Sequence, residues 1–429
     1  MRASAYPLVD AEIAASLVLE RTAFLGAETV PLIDCAGRVL AGGIVAAAPL
    51  PAFPSSAVDG YAVRAADGGK PLRVVGESAA GRPFERPLEP GTAIRILTGG
   101  VLPRGADCVV MMEEVELSGE VVIVPGGLKP GQNFHAPGAD LKAGEPVLPA
   151  GVQLGAAEIG LAAALGLAEL SVGRRPRVAL MSTGDELVEV GKEPGRGQIP
   201  DSNRWALLAA LREAGAEVRL LGIGPDEPDA LRRLVLDALG GADVLVTSGG
   251  VSVGTHDLIK PLLESLGDVH IGRVKLKPGK PFTFATIPGQ PSPTPTLRAS
   301  ATRMGLTDRP LRGREKVAFG LPGFPVSSLV TFEVFVRPAL RKMQGFAQLQ
   351  RPTLPVRLGY AARASGDRTE YQRVTLRREG RELVAVSTGS QSSSRLMSLA
   401  GAHALVRIPP GDQGIDEGSI VEAIILSLP

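Results

Sequence analysis

The sequence predicts a multidomain α/β plus β protein: a central α/β domain with a parallel sheet, a β-rich insertion, a discontinuous helical linker domain and a C-terminal β domain. Three observations lead there. A chain of 429 residues holds roughly three domains at about 150 residues each. Between 177 and 347 strand-like and helical stretches alternate, which builds a parallel sheet covered by helices. On either side the texture changes to short alternating runs broken by Gly, Pro and Asp, the pattern of antiparallel β structure.

In chain order, Leu8 to Gly26 has apolar residues at helical spacing, with acids early and Arg21 late. Residues 53–146 ("DGYAVRA", "LRVVGE", "GTAIRILTGG", "CVVMMEEVEL", "EVVIVPGG") form the β insertion. The helical patch "GAAEIGLAAALG" at 155–166 is expected to return and pack on the first helix, so 1–52 and 147–176 make one discontinuous domain. From Arg177 the strands "RVALMST", "AEVRLLGIG", "DVLVTSGG" and "VKLKPGKPFTFAT" alternate with the helices "DSNRWALLAALREAG" and "DEPDALRRLVLDALG", the first capped by Asp and Ser and the second carrying Pro in its opening turn. Residues 351–429 return to β texture. The stretch 288–316, rich in Pro, Ser, Thr and Arg, reads as a solvated loop or disordered insert.

Composition narrows the function. A net charge of +1 gives no global pull towards nucleic acid or an anionic membrane, so an anion must be recognised locally. Cys35 and Cys108 make no disulfide framework and fit burial in a reducing cytoplasm. The acid-bearing N-terminus is not a signal peptide, and "IGLAAALGLAELSV" is too short and broken to span a bilayer. The expectation is a soluble, cytoplasmic protein with no nucleic-acid or membrane partner.

Ligands of open parallel sheets bind beyond the carboxyl ends of the strands. "SGGVSVGTHD" (Ser248–Asp257) lies at such an end, where Gly249 and Gly250 permit a sharp turn and close backbone approach. "STGDEL" contributes Glu186, "GPDEP" Asp226, "KLKPGKP" three lysines and "LPGFPVSS" Ser327. Each motif alone also fits a solvated turn or a helix cap. Together, carboxylates and lysines at one sheet edge suit a polyanion held through a hard divalent cation such as Mg²⁺.

"STGDEL", "PDSNR", "SGGVSVGTHD", "KPGKP" and "LPGFPVS" resemble the molybdenum-cofactor-binding fold. "PAFPSSAVDGYAVRA", "AIRILTGGVLPRGADCVVMMEE" and "GQNFHAPGADLKAGEPVL" resemble the β insertion of one branch, the MoeA and gephyrin E-domain family of molybdopterin molybdenumtransferases, and "EYQRVTL" and "TGSQSSSRLMSLAGAHALV" its last, β-barrel-like domain. The likeness is nearly end to end, with only 288–316 outside it. It implies insertion of molybdate into adenylylated molybdopterin with Mg²⁺-dependent release of AMP. It also implies a homodimer whose cleft is shared between subunits, with molybdopterin adenylyltransferase and molybdoenzyme apoproteins as partners.

Residue by residue, the resemblance makes Asp226, Asp257 and Glu186 the metal candidates, with Asp59 joining them in the chemistry. Lys277 and Lys280, assisted by Arg273 and Lys275, face the oxyanion; Arg373, Ser393, Ser394 and Arg395 supply donors from the C-terminal domain. Thr98 and Asp140 join Asp59 on the insertion, and Ser248, Gly249, Gly250 and Ser327 bind substrate. Two positions depart from the family pattern: Phe324 stands where an Asn is usual, and His135, Ala136 and Pro137 stand where arginines are usual. The alternatives are a non-catalytic pterin-binding or scaffold paralogue, and an adenylyltransferase or pyrophosphatase on the same fold. The complete set of domains argues against the last two.

Overall fold

The computed structural model describes residues 6–251, 258–289 and 315–428. Helix α1 (Ala11–Glu20) opens the chain, and its apolar stripe, Ala11, Ala14 and Val18, is buried. Contrary to the sequence expectation, that stripe joins the core of the α/β domain. The second helical patch, α2 (Ala156–Ala164), packs instead around Cys35, Leu154 and Leu170. Around it Ala27–Pro31 pairs antiparallel with Glu169–Gly173, and Ile44–Val45 with Pro146–Leu148. Short, small-residue helices carry no code for which neighbour they meet, so both partners satisfy the same stripe.

The insertion is a six-stranded sheet of β1 (Gly60–Val63), β2 (Pro71–Ser78), β3 (Thr92–Ile96), β4 (Cys108–Met111), β5 (Glu116–Ser118) and β6 (Val121–Ile123), ordered β4-β1-β3-β2-β6-β5. Alternate residues point to opposite faces. Tyr61 and Val63 therefore enter one core while Ala62 enters the other.

The α/β domain runs β7 (Arg177–Ser182), α3 (Ser202–Glu213), β8 (Glu217–Ile223), α4 (Pro228–Gly241), β9 (Val244–Ser248), α5 (Ile259–Leu266), β10 (Asp268–Ile271), β11 (Val274–Lys277), β12 (Thr283–Ile287), β13 (Lys316–Leu321), α6 (Pro325–Thr331) and α7 (Arg337–Gln344). Its sheet is ordered β8-β7-β9-β13-β12-β10. The four strands β8, β7, β9 and β13 are parallel. The two at the far edge, β12 and β10, are antiparallel. Antiparallel neighbours need no crossover helix, so the sheet is mixed rather than wholly parallel. Val178 and Leu180 point into one core, Ala179 and Met181 into the other, burying both faces.

The apparent strand "VKLKPGKPFTFAT" is two strands in two sheets. β12 belongs to the α/β sheet, whereas β11 pairs in parallel with β15 (Thr369–Glu379) of the C-terminal domain. That domain is a closed barrel, β14 (Thr353–Leu358), β16 (Glu382–Ser387), β15, β17 (Ala404–Ile408) and β18 (Ile420–Ile425) in ring order. The short strand Val9–Asp10 adds to the outer side of β11. The expected insert 288–316 lies mostly outside the described residues, although its last residue, Lys316, begins β13.

Candidate functional site at the strand ends

The carboxyl ends of β7, β9 and β13 meet at one point, held by a side chain the sequence reading had not assigned. Asn203, in the first turn of α3, donates from Nδ2 to Ser248 Oγ at 2.8 Å and to the Gly323 carbonyl at 2.6 Å. One amide thus ties the loops after β9 and β13 to a helix. Beneath it, the buried Asp201 caps α3 through the Arg204 N–H at 3.1 Å, accepts from Ser182 Oγ at 3.0 Å and faces Arg204 Nε at 3.1 Å. The motif "PDSNR" was the available signal, since Asp and Asn so near a helix start are capping types.

Gly249 and Gly250 are required by the backbone as much as by any ligand. Both have positive φ, 86° and 65°. A Cβ on Gly249 would sit 2.3 Å from the Thr183 carbonyl, and one on Gly250 would sit 2.6 Å from Thr183 Oγ1. The loops after β7 and β9 are therefore in close contact, and the Gly249 N–H donates to the Leu321 carbonyl at the end of β13 at 3.0 Å.

Glu186 and Asp226 are exposed just past β7 and β8, which are neighbours in the sheet. The Glu186 carboxylate folds back over its own turn, where an added Cβ on Gly184 would lie 2.5 Å from Oε2. Among the described residues no three His, Cys, Asp or Glu side chains close on one point. Two exposed hard-oxygen donors without a cage still fit Mg²⁺, which usually takes one or two carboxylates and completes its shell from water and phosphate. Asp257 lies outside the described residues.

The three lysines of "KLKPGKP" do not share one turn. Lys275 and Lys277 lie on β11, where Val274 and Leu276 are buried and the two ammonium groups emerge between them. Lys275 pairs with Asp10 at 3.1 Å. Lys277 donates to Ser365 Oγ at 2.9 Å and to Glu370 Oε2 at 3.2 Å, so a buried carboxylate of the barrel already neutralises it. Glu370 and Ser365 carry no recognisable sequence signal; only the β11–β15 pairing places them. Lys280 is exposed in the following turn, and Arg273 is half-buried with Nε unpartnered.

Arg373 corrects the expectation of an outward donor. It is fully buried, and its guanidinium holds the 391–398 loop from within through Ser398 Oγ (3.1 Å) and the Ser392 carbonyl (3.2 Å), with a further bond to the Tyr371 carbonyl of its own strand (3.4 Å). Burial pushes its pKa down to about 10, leaving it cationic at neutral pH. Ser327 is likewise buried inside α6. Ser394 and Arg395 are exposed on the loop that Arg373 supports, and the Ser393 carbonyl accepts the Val326 N–H at 3.1 Å, tying this loop to the start of α6.

On the insertion, the structure brings Asp59 and Thr98 together. Asp59 Oδ1 accepts from the Thr98 N–H and hydroxyl, each at 2.7 Å, and these two bonds hold its carboxyl below the usual carboxylate range. Asp140 is exposed, its N–H spent on the Leu50 carbonyl. His135 is exposed on a two-residue strand paired with Ser55–Ser56. Cys35 and Cys108 are free and buried, and burial pushes the Cys108 thiol up to about 12.

The closed C-terminal barrel, the β insertion and the α/β domain with its glycine-lined strand-end cradle each correspond to a family match, and together these matches define a multidomain protein of the molybdopterin-binding class. Residues 9–166 match the MoeA N-terminal region (domain I and II), 179–342 the "Probable molybdopterin binding domain" and 355–426 the MoeA C-terminal region (domain IV). A molybdopterin molybdenumtransferase of Nostoc is 39% identical, covering 94% of this chain and 89% of its own. One of Haemophilus influenzae is 39% identical, covering 79% and 78%. Gephyrin of Dictyostelium discoideum is 37% identical over 99% of this chain, which spans 63% of gephyrin's length. Crystal structures of molybdopterin biosynthesis MoeA proteins of Pyrococcus horikoshii, 31% and 27% identical, each superpose with a TM-score of 0.79 over 98% of this chain and 99% and 100% of theirs. The chain belongs to the MoeA family of molybdopterin molybdenumtransferases.

Proposed function

We propose that this chain inserts molybdate into adenylylated molybdopterin, the phosphoanhydride to AMP being cleaved as the metal enters the dithiolene. The observation that carries this reading is the Asn203–Ser248–Gly323 tie. It joins the ends of β9 and β13 to α3, while Asp201 below it receives Ser182 from the end of β7, and Glu186 and Asp226 lie just past β7 and β8. Asp226, Glu186 and Asp257 are the residues that would hold Mg²⁺, which would supply charge compensation for the phosphates. Lys277 and Lys280 attract the oxyanion, and the exposed Ser394 and Arg395 approach it from the barrel. Arg373 acts by keeping their loop in place. The working unit is a homodimer in which Asp59 and Thr98 of one subunit complete the cleft of the other. No described helix is long and apolar enough to cross a membrane, and two buried free cysteines suit a reducing cytoplasm.

The test is AMP release from adenylylated molybdopterin, with and without molybdate and with and without Mg²⁺. Release that needs both agrees with the proposal. Release indifferent to molybdate would make the protein a pyrophosphatase, and binding without release a scaffold.

A further inference from the structure

Phe324 breaks two local rules at once. It occupies the cap position of α6, with φ −76° and ψ 132°, and its side chain makes no capping hydrogen bond. Ser, Thr, Asp or Asn there would accept an N–H of the first turn. Its ring is also 58% exposed at the carboxyl end of β13, next to the cradle: Gly323, the preceding residue, is held by Asn203, and its Cβ position is 3.7 Å from Gly249 Cα. Scattered exposed phenylalanines are ordinary, but one that forfeits a cap beside a binding cradle is a rule broken at a functional edge.

The missing cap is supplied from elsewhere. The Val326 N–H, one of the donors a cap side chain would serve, goes to the Ser393 carbonyl at 3.1 Å. The barrel loop thus satisfies the helix and releases position 324 from that duty. The same loop carries Leu396 and Met397, 37% and 75% exposed, next to the exposed Ser394 and Arg395, so both loops beside the cradle present apolar side chains. An exposed ring one residue from the cradle, with hydrogen-bonding groups behind it, suits a flat heterocycle bound by its face.

We propose that Phe324 is the stacking surface for a heteroaromatic ring of the substrate, pterin or adenine. This rests on the reading above and adds a specificity-determining residue to it. The experiment is titration of the full-length protein with AMP and, separately, with molybdopterin, using wild type, Phe324→Leu, Phe324→Trp and Phe324→Asn. Stacking is expected to contribute about two- to tenfold in affinity. Phe324→Leu and Phe324→Asn then weaken one ligand by that factor and leave the other unchanged, which identifies the ring. Phe324→Trp stays within about twofold of wild type. Phe324→Asn, which restores a capping side chain, melts no lower than wild type, separating affinity from stability. The inference is overturned if Phe324→Leu weakens neither ligand, or if Phe324→Trp loses as much as Phe324→Leu. If wild type binds neither ligand and releases no AMP, the functional reading falls and this inference with it; wild-type activity with unaffected Phe324→Leu sinks the inference alone.

Discussion

The cradle at the ends of β7, β9 and β13 and the Asp59–Thr98 corner of the insertion both offer polar groups to a ligand, yet they are built in opposite ways. In the cradle the groups are tied to more than one partner and most of them are buried: Asn203 bonds Ser248 and Gly323, and Asp201 bonds Ser182 and faces Arg204. Asp59 and Thr98 are exposed and bonded to each other. Buried polar networks are costly to break because the groups left behind lose their partners away from water; exposed pairs are not. Substitution should therefore destroy fold and function together in the cradle, and function alone at the corner.

The largest expected effect is at the base of the cradle. Asp201→Ala removes a helix cap and the counter-charge of a buried guanidinium, costing about 3–5 kcal/mol in denaturant unfolding. A loss under about 1 kcal/mol, the scale of an ordinary cap, would mean that Glu189, 2.5 Å from Arg204 Nη2, suffices alone. Next is Gly249→Ala, which forces positive φ on a side chain already obstructed by the Thr183 carbonyl and should cost about 1–3 kcal/mol. Wild-type melting would show that the two loops separate easily.

Smaller in stability but sharper in function is the Lys277–Glu370 pair. Glu370→Gln leaves Lys277 without its neutralising partner and should lower the molybdate concentration needed for half-maximal AMP release several-fold. Its stability cost is about 1 kcal/mol, one hydrogen bond. Lys277→Ala should raise the requirement about ten- to a hundredfold, the scale of one charge-assisted bond. If both variants shift it the same way, Lys277 serves as a strut between domains and not as a site for the oxyanion.

The smallest stability effect is at the corner. Asp59→Asn should change unfolding by less than about 0.5 kcal/mol, as for surface sites generally, while activity falls. Because the folded-state pKa of Asp59 is lowered, the Asp59–Thr98 contact is fully present above the ordinary carboxylate pKa. It is lost only as pH falls through the lowered value, so neutral and mildly acidic assays should not disturb it. Co-expression with Asp257→Asn chains sharpens the comparison. Heterodimers that regain activity place the corner and the cradle of one site on different subunits, and inactive heterodimers place them on one.

Much of this arrangement is legible in the residues. The βα alternation, the capped α3, Pro228 at the start of α4, the insertion's turns and the buried cysteines all follow from local rules: period, capping chemistry and the preference of glycine for positive φ. The strand-end motifs likewise fall at the carboxyl ends of β7, β8, β9 and β13. What one sequence could not supply was pairing between distant segments. Nothing local tells α1 to pack on the α/β domain and not on α2, or splits "VKLKPGKPFTFAT" between two sheets. Nor does the local sequence bring Glu370 to Lys277, turn Arg373 inward or let a barrel carbonyl cap α6 in place of residue 324. Hydrogen-bond donors and apolar stripes are degenerate: many partners satisfy them equally, and only the closed tertiary structure selects one. The sequence by itself therefore determined the kinds of element and the chemistry at their ends, while the tertiary structure decided which charges remain available to a ligand and which are spent on the fold.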